Sequence, residues 1–303
     1  MTLRDMMYMT VIAEEKSITK ASAKLYVAQP ALSQCVQKVE KELGNAVFVR
    51  NSNGVVLTAE GECFIEFAKK TLREQKKFEK KIIDLKNADS GKVHLGFTGT
   101  QATYVLPYVL PPFKERYPAI EIVLVEAASD EIEDKLVRDE IEVGILHPPI
   151  HGELDAFEIS RDDLVIVPRS NSRFQPYIYY REDDTEPYLN IDFLRDEPLV
   201  LTNPNQRSRM ICEQIFKKAN LKPHIRQVTK SINTVDALAQ VNYATALIPS
   251  KQVSEKLKRR GCYKIDPEYN VPYSFYAATR KDAYLSTAAR KLLEFLDEIK
   301  ETF

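Results

Sequence analysis

The 303-residue chain lacks several features that mark other classes of protein. It contains no run of about 18 apolar residues, the length that a transmembrane helix needs. Its first fifteen residues carry acids inside their apolar stretch and show no small-residue cleavage pattern. We therefore expect no secretory signal, no membrane partner and a cytoplasmic location. The four cysteines are scattered without C-x-x-C spacing, which argues against a disulfide scaffold or a zinc site.

Histidine and glycine-rich motifs are also scarce. The close pair His147 and His151 is separated by two prolines, which prevent the helical spacing that would bring two rings onto one metal. The chain has no G-x-G-x-x-G or G-x-x-x-x-G-K-[ST] phosphate-binding pattern and no G-x-S-x-G nucleophile pattern. The sequence therefore predicts no catalytic residue, no metal and no cofactor, and a loop around the histidine pair.

Net charge is close to zero, at −1 for the whole chain. The first 60 residues hold seven Lys and Arg against six Asp and Glu. A nucleic-acid-binding domain usually shows a basic surface. A basic patch in this region therefore requires Asp5, Glu14 and Glu15 of the first predicted helix to lie away from it, and we expect that arrangement.

The stretch "SITKASAKLYVAQPALSQCVQKVEKELG" predicts two short helices joined by a turn. The first runs from Thr19 to Tyr26. Pro30 excludes one continuous helix, because proline lacks an N–H and its ring clashes with the preceding turn, but proline is well tolerated at the first helical position. The second helix therefore starts at Pro30 and ends near Leu43, where Gly44 follows.

The second helix has two different faces. Its apolar positions are three, four and seven residues apart, at Leu32, Val36, Val39 and Leu43. The opposite face carries polar side chains, at Ser33, Gln34, Gln37, Lys38 and Lys41. Such side chains reach base edges and phosphates when a helix lies in the major groove of DNA. A helix-turn-helix is one interpretation, and the solvated face of an ordinary helical bundle is the other.

A β-hairpin and a long helix are predicted next. Val47–Val49 and Val55–Leu57 are strand-like on either side of a turn, and Arg50 lies at the base of this wing, well placed for a phosphate or a minor groove. Thr58 is the predicted N-cap of a helix that runs to about Asn87, roughly 45 Å long. We expect this helix to pair with its copy in a second chain. Packing on its own domain is the alternative.

From Ser90 onward, short apolar strands alternate with helices, which predicts two α/β lobes in tandem. Ligands of such sheets bind beyond the carboxyl ends of the strands, against helix starts. The hydroxyl and amide side chains at those places are the predicted effector-binding residues, Thr100, Gln101, Ser129, Thr202, Asn203, Thr229 and Ser231. Arg207 and Lys230 stand nearby. Such groups suit a small anion such as a carboxylate, although each residue alone could be a plain N-cap. For the tyrosine-rich connection 170–193 we expect a surface loop, and a partner surface or the mouth of the cleft is the alternative.

At this point the sequence resembles a known family, the LysR-type transcriptional regulators. The anchor residues in the first 61 positions match at the family's spacing without a gap, and they are Leu3, Met6, Met9, Ala13, Ser17, Ala21, Leu25, Gln29, Pro30, Ala31, Ser33, Glu40, Leu43, Gly44, Phe48, Arg50, Leu57, Thr58 and Gly61. One departure is Lys16, where a glycine is usual.

The resemblance implies an α/β fold class with an N-terminal winged helix-turn-helix DNA-binding domain (1–60), a linker and dimerisation helix (61–89) and a C-terminal two-lobed, periplasmic-binding-protein-like effector-binding domain (90–303). Lobe one would cover about 90–163 and 267–303, and lobe two about 164–266.

The implied function is a sequence-specific DNA-binding transcriptional regulator, not an enzyme, whose activity is set by a small anionic effector between the lobes. Its implied partners are double-stranded DNA, the effector and further copies of the chain, as a homodimer through the linker helix and a homotetramer. The predicted DNA-binding residues are Gln29, Ser33, Gln34, Gln37, Lys38 and Arg50.

Two other classes remain as alternatives, an enzyme or a solute-binding α/β domain fused to a DNA-binding module. A thiol switch is not expected, because the relevant lobe-two helix holds Cys212 alone.

Overall fold

The computed structural model describes residues 1–51, 54–86 and 90–300, without the side chains at positions 50, 51, 86 and 100. The chain divides into two compact units, Met1–Ala88 and Asp89–Phe303.

The first unit is a helical domain with a small hairpin. Its elements are α1 (Leu3–Glu15), α2 (Ile18–Leu25), α3 (Gln29–Leu43), β1 (Phe48–Asn51), β2 (Gly54–Leu57) and α4 (Ala59–Lys86). Met9 and Ile12 of α1 and Leu32 and Val39 of α3 are fully buried in its core. The helix-turn-helix prediction agrees with this arrangement, since α2 ends at Leu25 and α3 starts within one residue of Pro30.

The buried face of α3 differs from the predicted one at two positions. Leu43 was predicted to be buried, but it is 40% exposed, while Cys35 is 8% exposed and packs into the core. Cys35 completes the spacing of three, four and seven residues that starts at Leu32, and a free cysteine behaves as a small apolar side chain. Burial raises the pKa of the Cys35 thiol to about 11, so it stays protonated.

The predicted hairpin is present and is attached to α3 by a carboxylate. Strands β1 and β2 pair antiparallel, with Phe48 opposite Leu57. The Glu40 Oε1 atom accepts hydrogen bonds from the backbone N–H of Val47 at 2.8 Å and of Phe48 at 3.0 Å. Glu40 therefore ties the start of the wing to α3 by satisfying two backbone donors.

The start of α4 is closely packed on the hairpin. The Thr58 hydroxyl accepts from the Gly61 N–H at 2.8 Å, as its predicted N-cap role requires, and donates to the Ala46 carbonyl at 2.6 Å. A Cβ at Gly61 would lie 2.1 Å from the Val47 carbonyl oxygen. Only glycine fits at this position.

Beyond its first turns, α4 carries apolar side chains that its own unit leaves uncovered. Phe64, Ile65 and Ala68 are buried, whereas Phe78 is 63% and Leu85 is 84% exposed. The helix has 28 residues.

The second unit contains two sheets, each with helices packed against it. In the first lobe the strand order is β4-β3-β5-β14-β6, and β14 runs antiparallel to its neighbours β5 and β6. These strands are β3 (Gly91–Phe97), β4 (Ile120–Glu126), β5 (Val143–Leu146), β6 (Leu154–Ser160) and β14 (Phe275–Arg280). The helices of this lobe are α5 (Gly99–Tyr104), α6 (Leu106–Arg116), α7 (Ser129–Val137) and α11 (Thr287–Glu298).

In the second lobe the strand order is β11-β10-β12-β7-β13-β9-β8. These strands are β7 (Leu164–Val167), β8 (Ile178–Arg181), β9 (Asp184–Leu189), β10 (Pro198–Thr202), β11 (His224–Thr229), β12 (Thr245–Pro249) and β13 (Tyr263–Lys264). The helices are α8 (Arg207–Lys218), α9 (Ile232–Gln240) and α10 (Glu255–Arg260), with short 3-10 turns at Gln175–Tyr177, Ile191–Arg195 and Ser250–Gln252.

The chain passes between the lobes twice, and the two crossing segments hydrogen-bond to each other. The Tyr273 N–H donates to the Asp162 carbonyl at 2.7 Å, and the Asp162 N–H donates to the Tyr273 carbonyl at 3.2 Å. The Asp162 carboxylate in turn accepts from the Ser250 hydroxyl at 2.5 Å and the Lys251 N–H at 3.0 Å. The crossover is thereby tied to the second lobe.

The connection 170–193 is not a plain surface loop, so that prediction is wrong. It contains the hairpin β8–β9, and β9 pairs with β13 so that the hairpin extends the second sheet. Tyr179 and Tyr188 stack with ring centroids 5.5 Å apart, and the Lys264 ammonium pairs with Asp184 at 2.6 Å. Tyrosine favours strands, and here the tyrosines cover the added strands while lysine neutralises the acids.

Candidate DNA-binding face and effector cleft

The polar face of α3 is accessible in the first unit. Gln29, Gln34, Gln37 and Lys38 are exposed, and Ser33 is half-buried. Positions 29, 33 and 37 follow one another by one helical turn, and so do 34 and 38, so these side chains share one surface. The N-cap residue Ala28 makes no side-chain cap hydrogen bond, Pro30 has no N–H, and the Ala31 N–H donates to the Ala28 carbonyl at 3.0 Å, so the start of α3 offers an anion such as a phosphate few backbone donors.

The expectation that the acids of α1 lie away from this face is wrong for Asp5. Asp5 pairs with Lys38 of α3 at 2.7 Å, and Glu15 pairs with Lys24 of α2 at 2.7 Å. Burial of Asp5 opposes its ionisation, but the hydrogen bonds from Lys38 and Thr2 lower the pKa of its carboxyl to about 2. The reason is tertiary, since α1 packs against both α2 and α3.

Two further residues bear on the candidate DNA-binding face, Arg50 and Tyr26. The Arg50 side chain lies outside the described residues, and its backbone pairs with Val55 in the hairpin. Tyr26, in the turn between α2 and α3, is 95% exposed and has a left-handed backbone with φ 54°. Sequence reasoning missed Tyr26 because helical periodicity placed it at the end of a helix rather than in the turn.

The second unit holds a cavity of about 520 Å³ between its lobes. Its wall includes the first residues of α5, α7, α8 and α9, at Gly99, Ser129, Arg207 and Ile232. The topological rule for open α/β sheets places ligands at such a point, beyond the carboxyl ends of the strands. The positive ends of several helix dipoles therefore meet at one cavity.

The predicted effector residues fall into two groups. Ser129, Asn203 and Ser231 line the cavity. The other described ones, Gln101, Thr202 and Thr229, do not line it but brace the residues that do. The Thr100 side chain lies outside the described residues.

Each bracing contact is a short local hydrogen bond. Gln101 Oε1 accepts from the Thr98 N–H at 2.8 Å, and Thr229 Oγ1 accepts from the Ser231 N–H at 3.0 Å. The Thr202 hydroxyl lies 2.7 Å from that of Ser208. The three contacts position residues of the cavity wall: Thr98 before α5, Ser208 in α8 and Ser231 before α9.

The electrostatic character of the cavity comes mainly from residues outside the predicted set. Arg207 and Lys230 line it, and among the described residues no carboxylate does. The Arg207 Nε atom is buried and has no hydrogen-bond partner in the described part of the chain. Burial lowers the pKa of Arg207, but a guanidinium stays charged at neutral pH. The wall thus contains an uncompensated cation.

His147 contributes a neutral acceptor to the same wall. Its Nδ1 donates to the Ser274 carbonyl at 2.8 Å, and its ring packs against those of Tyr273 and Phe275, with centroids at 4.5 and 4.6 Å. Burial lowers its pKa to about 4, the bond to Ser274 opposes this, and the charge of Arg207 lowers the pKa further. The imidazole is therefore neutral near pH 7, with an unprotonated Nε2.

His147 and Tyr273 were missed as site residues. His147 directly follows β5, so the strand-end rule that selected the other positions would have selected it too. Tyr273 lies in the crossing segment, and no local signal in the sequence identifies it.

Among the described residues of the second unit, neither a reactive thiol nor a metal-binding cluster is found. Burial raises the pKa of the Cys212 thiol to about 12, which makes it a poor nucleophile. No group of three or more metal-ligating side chains occurs among the described residues.

None of the described helices is long and apolar enough to cross a membrane.

Comparison with known families decides the identity of the two units. The family model described as LysR substrate binding domain matches residues 86–300, and that of the bacterial regulatory helix-turn-helix protein, lysR family, matches residues 3–62. The chain belongs to the LysR family of transcriptional regulators. The predicted family, fold class and regulatory function are thereby confirmed. LysR-family regulators bind DNA and small-molecule effectors and form oligomers.

Individual relatives span the whole length of this LysR-family chain. The HTH-type transcriptional regulator YcgK of Bacillus subtilis is 26% identical over 314 residues, covering 100% of this chain and 96% of the relative. HinK, a LysR family transcriptional regulator from Pseudomonas aeruginosa, superposes with TM-score 0.59 at 24% identity, covering 98% of each chain. Full-length CbnR complexed with its target DNA superposes with TM-score 0.57 at 22% identity, covering 98% of this chain and 99% of CbnR. The structural likeness supports the fold.

Proposed function

We propose that this LysR-family regulator binds operator DNA through the exposed face of α3 and responds to a small organic anion held between the lobes of its second unit. The cavity wall is the observation that carries this proposal. It combines the unpaired Arg207, Lys230, the starts of α7, α8 and α9, and no carboxylate among its described residues.

The DNA-binding part of the proposal assigns base contacts to Gln29, Ser33, Gln34 and Gln37. Lys38 is proposed to contact a DNA phosphate. Its ammonium must then either break its ion pair with Asp5 or bind Asp5 and the phosphate at the same time. The side chain of Lys38 is 47% exposed, so it reaches solvent despite that pair. In the wing, Arg50 is proposed to contact the sugar-phosphate backbone of the DNA. Tyr26 is proposed as a further contact to that backbone, because an exposed aromatic hydroxyl in this turn suits a phosphate oxygen.

Assembly follows from the uncovered stripe of α4. We propose that Phe78, Ile82 and Leu85 pack against the same helix of a second copy, giving a homodimer, and that the second units join such dimers into a homotetramer. A two-fold dimer would present two copies of α3 to two half-sites of an operator. The regulator would act on DNA in the cytoplasm and would convert no substrate.

The effector site is tested by removing its unpaired cation. Arg207→Met keeps an unbranched apolar side chain and removes the charged guanidinium, so it should weaken binding of organic acids at least about tenfold, because a charged hydrogen bond is lost. Lys217→Met is the matched control, since Lys217 lies near the far end of α8 and does not line the cavity. Calorimetry with a panel of mono- and dicarboxylates measures both variants. Equal affinities in the two variants would contradict the anion site.

A further inference from the structure

The position of one neutral acceptor beside an unpaired cation narrows the chemistry of the effector. His147 is 6% exposed, lines the cavity and directs Nδ1 away to the Ser274 carbonyl at 2.8 Å. A carbonyl oxygen can only accept, so Nδ1 carries the ring proton. Nε2 is then the atom of the ring left to accept from a molecule in the cavity, and the described residues give His147 no second hydrogen bond.

A ligand with only an anionic group would pair with Arg207 but would leave His147 Nε2 without a donor. A carboxylate suits the Arg207 guanidinium, whose Nε is buried without a partner. The same carboxylate brings no proton for His147 Nε2, and a lone pair facing a carboxylate oxygen is repelled. A ligand that fills the site well must therefore carry a hydrogen-bond donor besides its anionic group.

The donor is a neutral hydroxyl rather than an ammonium. An ammonium needs a nearby carboxylate to offset its desolvation, and among the described residues none lines the cavity. Arg207 and Lys230 would also repel it, and the influence of Arg207 on the pKa of His147 shows that its charge is felt at that ring.

We propose that the effector is a hydroxy acid, whose carboxylate binds Arg207 and whose hydroxyl donates to His147 Nε2. This inference rests on the proposed anion site and goes beyond it by naming the chemical class that the site selects. His147 acts here as a specificity-determining residue: it distinguishes a hydroxy acid from the same acid without the hydroxyl, and from the matching amino acid.

Matched triples of acids test the idea on the full-length protein. Each triple carries hydroxyl, hydrogen or ammonium at the same carbon: lactate, propionate and alanine; malate, succinate and aspartate; 2-hydroxyglutarate, glutarate and glutamate; mandelate, phenylacetate and phenylglycine. In at least one triple the hydroxy acid should bind about tenfold or more tightly than the plain acid, because a buried acceptor is otherwise left unpaired, and the amino acid should bind most weakly.

Variants of His147 and His151 test whether the preference for hydroxy acids depends on His147 Nε2. His147→Phe keeps an aromatic ring and removes the acceptor, so the hydroxy acid and the plain acid should bind equally. His151→Phe is the control, because His151 lies four residues away and does not line the cavity. If His147→Phe does not fold, nitrogen-15 NMR of histidine-labelled parent protein replaces it. The Nε2 resonance of a buried neutral imidazole should then shift with the hydroxy acid and not with the plain acid.

The outcomes separate the two proposals. Plain acids that bind as tightly as hydroxy acids, with Arg207→Met still weakening both, would overturn the hydroxy-acid inference and leave the anion site standing. Amino acids that bind most tightly would overturn it too. If no acid of any triple binds, the anion site fails and this inference fails with it.

Discussion

The two units present their functional groups in opposite ways. In the first unit the proposed base contacts and Lys38 sit on one helix, within the ten positions from Gln29 to Lys38, and the other proposed contacts, Tyr26 and Arg50, lie in the turn before it and in the wing after it. In the second unit the cavity wall draws on residues from Thr98 to Tyr273, which approach one another only because the chain crosses twice between two lobes. A surface that serves one long polymer can be built on a single helix, whereas enclosing a small molecule needs walls from several elements.

The contrast extends to what each unit leaves uncovered. The far part of α4 exposes Phe78 and Leu85, and a long helix with such a stripe needs a second helix to cover it. In the cavity the uncovered groups are polar instead. Arg207 Nε has no hydrogen-bond partner in the described part of the chain, and His147 makes one hydrogen bond there, through Nδ1. In the proposed function, one unit is therefore completed by another protein chain and the other by a ligand.

The largest expected effect is on assembly. Phe78→Asp places a charge on each side of the proposed seam and should weaken the dimer by more than about 5 kcal/mol, because an uncompensated buried charge costs about 3–5 kcal/mol. Sedimentation and cooperative binding to a two-half-site operator measure this. Lys76→Asp, about 200° away around the helix, should leave the dimer intact. A dimeric Phe78→Asp protein would remove α4 as the interface.

The next largest effect concerns the independence of the two units. Gly61→Ala forces a Cβ to within 2.1 Å of the Val47 carbonyl oxygen, so we expect the first unit to lose about 3 kcal/mol of stability. The Arg207-dependent affinity for acids should not change. Gly152→Ala, whose Cβ would meet nothing within 4 Å, is the neutral control in calorimetry. Loss of acid binding in Gly61→Ala would show that the units are coupled.

Titration of His147 should make the free energy of unfolding depend on pH, by an amount no larger than the loss expected for Gly61→Ala. Its pKa is about 4 in the folded chain because of burial, against 6.5 for the free side chain. Above pH 6.5 the ring is neutral in both states. As the pH falls from 6.5 towards 4, His147 becomes protonated in the unfolded chain but stays neutral in the folded chain. The free energy of unfolding should therefore drop by up to about 3 kcal/mol.

The difference between parent and variant isolates this contribution. His147→Phe should lack it, while His151→Phe should keep it, since only His147 lines the cavity. Urea unfolding at pH 7.5, 5.5 and 4.5 gives the comparison. Parallel pH profiles for the parent and His147→Phe would show that burial does not hold the ring neutral.

The smallest expected effect is at the DNA face. Gln34→Ala should relax base preference at one operator position by about 1–2 kcal/mol per half-site, because a glutamine amide reads a base edge with two hydrogen bonds. Tyr26→Phe should instead weaken all sequences alike, since a phosphate contact carries no base information. Binding assays on an operator and its single-base variants distinguish the two. An unchanged preference in Gln34→Ala would move the reading face elsewhere on α3.

Local signals account for the parts of the structure that could be predicted. Pro30 and Gly44 delimit α3, Thr58 caps α4, and alternation of strands and helices indicates the two-lobed second unit. Such features act within a few residues along the chain, so a pattern of spacing is enough to find them. The predicted surface loop at 170–193 failed because pairing of β9 with β13 lies outside any local pattern.

Contacts across long separations were decided by the tertiary structure alone. Lys38 meets Asp5 across 33 positions, and His147 donates to the Ser274 carbonyl across 127. The same packing leaves Arg207 Nε without a partner and excludes carboxylates from the described cavity wall. The sequence by itself determined the family, the helices of the first unit and the polar face of α3. Which of the strand-end residues reach the cavity, and in which protonation state, was decided by how the two lobes close around it, because burial and charge depend on neighbours that are remote in the chain.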